Sequence, residues 1–236
     1  MKTKLFTWPN MITLLNLLCG TVGIVSMVSL QSQQALKLSF ILIVAAVVFD
    51  FLDGFVARLT HSESPVGLQL DSLADMVSFG LLPTIIAMKL YYILGGSGIL
   101  SALLLTLPLC AALRLARFNT EAPEASSDSF KGLPVPAVAL FIASAGWYAC
   151  TFARLASPWS PWICLACGLL LSLLMISSVN MFSLKFHDFS FKNNAVRYIF
   201  LVFSLVFIAI AGIFGIALSV LLYVLFSVIC RILRFN

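Results

Sequence analysis

An all-α chain that crosses a membrane about eight times, as a polytopic helical bundle, is predicted by three observations. Of its 236 residues, 61% are hydrophobic and 10% charged, where a soluble domain carries about a quarter charged residues. Apolar runs of about 20 residues, each long enough to cross a hydrocarbon core of roughly 30 Å, recur from residue 11 onward. The basic residues gather at one set of run ends instead of on one soluble face. A chain this apolar has too little polar surface to cover a soluble globule, so lipid is its natural solvent.

The runs predict helices over 11–30, 36–58, 68–92, 98–118, 134–155, 161–181, 195–211 and 213–233. The first is expected to be retained, because no convincing small-residue cleavage site accompanies it and Pro9-Asn10 stands where a signal peptide has its basic flank. Just before it, Phe6 and Trp8 among polar residues suit an interfacial segment at headgroup level. Short polar pieces over 60–66, 120–133 and 182–194 separate helices. The central piece holds Glu121, Glu124, Asp128 and Lys131, then Gly132-Leu133-Pro134-Val135-Pro136. Its prolines fit the first turn of the fifth helix, where no donor is lost; a plain helix start and a functional loop both fit. Cys164 and Cys167 form a C-x-x-C in the sixth run, but no His or second cysteine pair accompanies them. They read, like Cys19, Cys110, Cys150 and Cys230, as small hydrophobic residues. No internal repeat stands out, so residues 1–236 read as one membrane-embedded domain.

The net charge of +5 reflects topology and not nucleic-acid binding. Lys2, Lys4, Arg58, Arg114, Arg117, Lys131, Lys185, Lys192, Arg197, Arg231 and Arg234 fall at one set of helix ends, against Lys37, Lys89 and Arg154 at the other. The positive-inside rule then puts both termini in the cytoplasm and requires an even number of spans. Glu63, Glu121, Glu124, Asp128 and Asp188 fall in the same cytoplasmic loops.

Four carboxylates break the apolar pattern. The second helix ends Asp50-Phe51-Leu52-Asp53-Gly54-Phe55-Val56-Ala57-Arg58, and the third begins Gly67-Leu68-Gln69-Leu70-Asp71-Ser72-Leu73-Ala74-Asp75. A charge costs about 2.5–3.5 kcal/mol at the centre of a membrane helix and less near the interface, so such residues persist when they face a cavity, pair or bind an ion. Asp50 and Asp53 are i, i+3, and Asp71 and Asp75 are i, i+4, so each pair shares a helix face. The short turn between Arg58 and Gly67 folds the two helices antiparallel, and both pairs meet at similar depth. Converging carboxylates with no His or Cys nearby make a hard oxygen site suited to Mg²⁺ or Mn²⁺. Four negative charges exceed what one divalent ion neutralises, which favours two metals. Gly54, Ala57 and Gly67 clear space for a ligand, and the planar fork of Arg58 suits a phosphate. A structural polar network would leave this charge unbalanced; an ion pathway is the stronger competitor.

The pattern Asp50-x2-Asp53-Gly54-x2-Ala57-Arg58-x8-Gly67-x3-Asp71-x3-Asp75 resembles, without gap or substitution, the motif of the CDP-alcohol phosphotransferases. The stretch Pro9–Asn16 is similar to that family's N-terminal segment. Arg114-Leu115-Ala116-Arg117-Phe118-Asn119 and Lys131-Gly132-Leu133-Pro134-Val135-Pro136-Ala137 are similar to segments of its phosphatidylserine synthase branch. Together these cover roughly residues 9–137. The resemblance implies a six-helix bundle, so 195–236 would be a two-helix addition. It also implies a homodimer, and an aspartate-bound dimetal centre beneath the pyrophosphate of CDP-diacylglycerol.

Carried over, Asp50, Asp53, Asp71 and Asp75 would be metal ligands and Asp75 also the general base. Asp53, Gly54, Ala57, Arg58, Gly67 and Asp71 would line the CDP site, with Asn10 and Thr13 as weaker candidates. The acceptor hydroxyl would attack the phosphorus carrying diacylglycerol, and CMP would leave. Arg114, Arg117, Asn119 and Lys131 are the acceptor-side candidates. Two arginines suit the carboxylate of L-serine, which the branch resemblance favours, but also glycerol phosphate or inositol phosphate, or a role as topological anchors. His61 and His187 in polar turns read as solvated. An ion-coupled transporter is disfavoured, since the acids lie near one membrane face and no inverted repeat is visible.

Overall fold

Thr7 and Pro9 start the first helix. The Thr7 hydroxyl accepts the Asn10 backbone N–H at 3.4 Å, and Pro9 occupies the first turn. The structure, a computed structural model, describes residues 5–121, 129–152, 157–182 and 191–232. Lys2, Lys4, Glu124, Asp128, Arg154, Lys185, His187, Asp188 and Arg234 lie outside the described residues.

The elements are α1 (Trp8–Ser29), α2 (Ser32–Leu59), α3 (Pro65–Asp75), a π-helical turn (Met76–Leu81), α4 (Leu82–Ile93), a 3₁₀ stretch (Gly98–Leu105), α5 (Thr106–Glu121), β1 (Ser129–Lys131), α6 (Val135–Phe152), α7 (Ser160–Ile176), β2 (Asn180–Phe182), α8 (Phe191–Ala211) and α9 (Phe214–Ile232). Among the described residues, four spans are long and apolar enough to cross a membrane: Trp8–Ser29, Ser32–Leu59, Pro65–Ile93 and Gly98–Thr120. Four shorter apolar helices follow, Val135–Thr151, Ser160–Ile176, Arg197–Ala211 and Phe214–Ile229. The eight runs of the sequence thus become eight helical passages. Val28, Ile99 and Ile210 are each more than four-fifths exposed. Such side chains would be a liability in water, but they form the outer wall of an integral membrane protein.

Three local features depart from the sequence reading, one of them the 3₁₀ stretch over Gly98–Leu105 that opens the fourth passage. The sixth helix ends at Ile176 instead of 181, because Ser177 turns extended (ψ 155°) and the chain enters β2. β2 pairs antiparallel with β1, Ser129 opposite Phe182 and Lys131 opposite Asn180, which ties the two polar connections together. The third passage is not one regular helix either, since its ladder widens over Met76–Leu81.

α1 lies along α2 and against α3 and the π turn, while α6 packs on α2, α4 and α9. Leu36, Ile43, Phe79, Leu82, Ile86, Leu104 and Val138 form the centre of the core. The face of α1 turned inward is small and polar: Asn10, Thr13, Asn16, Gly20, Gly23 and Ser26 are all buried. Small residues let helix backbones approach where lipid supplies no hydrophobic drive between helices. A Cβ on Gly20 would lie 2.8 Å from the Ser78 Cα and 2.4 Å from its Oγ. Gly20→Ala is therefore expected to destabilise by about 1–3 kcal/mol, the usual cost of overpacking. A lowered thermal midpoint in detergent would register it, and an unchanged midpoint would show that α1 can move away freely.

Candidate functional site

The carboxylates converge because of how α2 ends and α3 begins. Ser62 N–H reaches back to Ala57 O at 3.0 Å, with His61 in the left-handed region at φ 49°. Ser64 then caps α3, its hydroxyl accepting the Gly67 N–H at 3.0 Å, with Pro65 in the first turn. Asp50 and Asp53 sit in the last turns of α2, Asp71 and Asp75 in the last turns of the short α3, and the tight reversal brings them level. His61 is exposed and shapes this turn.

One carboxylate oxygen each from Asp50, Asp53 and Asp71 lies within 4.8 Å of the other two. At that separation two unit charges repel by about 3 kcal/mol at an effective dielectric of 20. Asp53 is buried, and its Oδ2 accepts from Thr13 Oγ1 at 2.5 Å. The Asp71 Oδ1 is buried with no hydrogen-bond partner among the described residues. Asp75, also buried, stands outside this close group; its Oδ1 accepts from Asn16 Nδ2 at 3.2 Å. Arg114, half-buried on α5, interacts electrostatically with Asp75 and Asp50, and with Tyr223 of α9.

The residues around the acids divide into open and engaged positions. A Cβ added at Gly54 would meet nothing within 4 Å, so that side of α2 is open among the described residues. Ala57 is half-buried one turn along. Arg58 is exposed, its Nε donating to Gly54 O at 3.0 Å. At Gly67 a Cβ would come 3.2 Å from Asn10 Oδ1, so this glycine admits Asn10 beside α3. Asn10 itself is buried, its Nδ2 donating to Leu5 O at 2.8 Å.

On the acceptor side, Arg114 also lies over the Phe118 ring, its Cζ 5.6 Å from the centroid. Arg117 Nη1 donates to Ile176 O at 3.4 Å, at the end of α7. Asn119 Nδ2 donates to Ser72 Oγ at 2.8 Å, which bridges α5 to the turn of α3 between Asp71 and Asp75. Lys131 is exposed on β1. Of these four, the structure brings Arg114 to the acids and ties Asn119 to the helix that carries two of them. Sequence reasoning missed Asn16, Ser72, Ser78 and Tyr223. The one available signal was periodicity, since Asn16 continues the inward stripe of Asn10 and Thr13 at i+3.

A family model described as CDP-alcohol phosphatidyltransferase matches residues 6–174. The chain is 37% identical over 139 residues to the CDP-diacylglycerol–serine O-phosphatidyltransferase of Helicobacter pylori, a match that covers 58% of this chain and 56% of that relative. It is equally identical over 139 residues to the enzyme of the same description in Methanocaldococcus jannaschii, with 59% and 60% covered. An archaetidylserine synthase of Methanothermobacter thermautotrophicus is 36% identical over 148 residues, with 60% and 58% covered. The chain therefore spans somewhat more than half the length of these relatives. The family match ends within α7, before α8 and α9.

Proposed function

This chain belongs to the CDP-alcohol phosphatidyltransferase family, and from that membership we propose that it transfers the phosphatidyl group of CDP-diacylglycerol to L-serine, giving phosphatidylserine and CMP. The observation that carries the reading is the convergence of Asp50, Asp53 and Asp71, together with an Asp71 Oδ1 that is buried and has no hydrogen-bond partner among the described residues. Three carboxylate oxygens this close offer a cation an all-oxygen donor set, which suits Mg²⁺ or Mn²⁺. Asp50, Asp53, Asp71 and Asp75 would hold the metal, as two ions if the full charge is to be offset. Bound there, it would supply positive charge against the phosphate oxygens as negative charge builds in the transition state.

The chain's own residues do the rest. Asp53, Asp71, Gly54, Ala57, Arg58 and Gly67 line the CDP site, with open space at Gly54 for the nucleotide, and Asn10 and Thr13 hold that wall from α1. The serine hydroxyl attacks the phosphorus that carries diacylglycerol, its proton passes to Asp75, and the bond from phosphorus to the CMP oxygen breaks. Arg114 receives the serine carboxylate beside Asp75, supported by Arg117, Asn119 and Lys131 around it. The asymmetry of basic residues supports placing both termini and the acids on the cytoplasmic side of the cell membrane. Family membership is the ground for expecting a homodimer.

The test is CMP release by purified protein given CDP-diacylglycerol, Mn²⁺ or Mg²⁺, and a panel of alcohols. Serine is expected to drive release, and chelation to stop it. If no alcohol releases CMP, the enzymatic reading fails. If glycerol phosphate or inositol phosphate outcompetes serine, the acceptor assignment fails and the phosphatidyl transfer stands.

A further inference from the structure

We infer that Asn16 is a positioning residue for Asp75, locked in place by the π-helical turn that follows Asp75, and that it determines which oxygen of that carboxylate faces the acceptor hydroxyl. The inference rests on the proposed role of Asp75 as the base.

Asn16 is fully buried in the middle of α1. An amide in such a place is costly unless it is paired. Its Nδ2 donates to Asp75 Oδ1, while its own Oδ1 has no partner among the described residues. A half-satisfied amide is a poor device for stability, and an apolar residue of similar size would fill the space at less cost. What the amide does supply is direction. With Oδ1 of Asp75 engaged, Oδ2 is left as the oxygen to accept a proton.

The surrounding backbone fixes that direction. Directly after Asp75 the ladder widens over Met76–Leu81, a local change that π turns produce and that re-aims the residues around it. This widened turn places Ser78 against α1, and its Oγ donates to the Asn16 carbonyl oxygen at 2.9 Å. Gly20, one turn beyond Asn16, leaves room for that approach. Asn16 is thus held twice by the same segment, through its backbone by Ser78 and through its side chain by Asp75. The amide and the carboxylate are coupled through that hydrogen bond. The close group of acids is Asp50, Asp53 and Asp71, and Asp75 stands beside it with its Oδ1 held by Asn16.

The test uses Asn16→Leu and Ser78→Ala in the full-length protein, with serine and CDP-diacylglycerol varied separately. Mn²⁺ binding is followed by electron paramagnetic resonance, and the thermal midpoint is read in detergent. Asn16→Leu is expected to lower kcat about 10- to 100-fold, the usual cost of losing a partner that orients a group at a metal centre. Both KM values and the Mn²⁺ affinity should stay near wild type, with the midpoint unchanged or raised. Ser78→Ala should shift kcat the same way by a smaller factor. A normal kcat in Asn16→Leu, or a loss confined to KM or to Mn²⁺ affinity, overturns the inference and leaves the proposed function standing. If Asn16→Leu does not fold, Ser78→Ala decides: lowered kcat at constant KM supports the inference, and wild-type kcat overturns it. A wild-type protein that releases no CMP with any alcohol of the panel overturns both readings.

Discussion

Asp71→Asn is expected to abolish turnover, lowering CMP release by more than about 100-fold, since even losing a partner of a metal ligand costs up to that much. The same substitution should leave the metal-free protein as stable as wild type, or more so. The reason is electrostatic. Asp71 contributes one of three oxygens held within 4.8 Å of each other, and each such pair repels by about 3 kcal/mol at an effective dielectric of 20. An amide keeps the shape and removes the charge, so the apo protein is relieved of repulsion. A purely structural acid would behave in the opposite way, because its loss would weaken the fold. Three readouts on one variant separate these roles: CMP release, Mn²⁺ titration, and thermal midpoint without metal. Lost turnover and lost Mn²⁺ binding with a held or raised midpoint is the expected outcome. Near-normal turnover would rule out a metal role for Asp71.

The acids were legible in the sequence because they contrast with everything around them. A carboxylate in an apolar run is conspicuous, and i, i+3 and i, i+4 spacing assigns it a face without any tertiary information. The eight helical passages were legible for the same kind of reason, since hydropathy over about 20 residues is a long signal. What escaped was short or non-local. β1 and β2 span three residues each, too few for a period-two pattern to register. The π turn over Met76–Leu81 has no residue signature of its own; it accompanies the close approach of Ser78 to Gly20, on another helix. Asn119, a polar residue near two arginines, suggests the acceptor side from sequence alone. Its bond to Ser72 joins helices distant in sequence, which spacing cannot encode. Tyr223 escaped likewise, because nothing local links α9 to Arg114. Its burial and its interaction with that guanidinium give the C-terminal helices, which lie beyond the family match, a physical connection to the site.

Gly132→Ala is expected to disrupt the segment that carries Lys131 without disturbing the acids. Gly132 sits at φ 77°, a region that costs a residue with a Cβ roughly 1–2 kcal/mol. Space is also lacking, since a Cβ there would lie 2.2 Å from the Met175 carbonyl oxygen, and such overlap adds about 1–3 kcal/mol. The turn cannot simply retreat. Gly132 N–H donates to Val179 O at 2.9 Å and Leu133 N–H to Leu174 O at 3.0 Å, and Leu133 and Val135 are fully buried just beyond. Moving the turn would break the pairing of β1 with β2, and β2 packs on α9. The effects should therefore divide by region. The thermal midpoint falls and the KM for the acceptor alcohol rises, because Lys131 and the end of α7 beside Arg117 shift together. Mn²⁺ binding stays at the wild-type value, because α2 and α3 are untouched. Lys131→Ala is the control that separates charge from backbone: it should raise the same KM with no change in midpoint. If Gly132→Ala melts like wild type, the tight turn does not hold the two connections together. If its Mn²⁺ affinity falls with its midpoint, the acids and the β1–β2 bridge are one cooperative unit and not two.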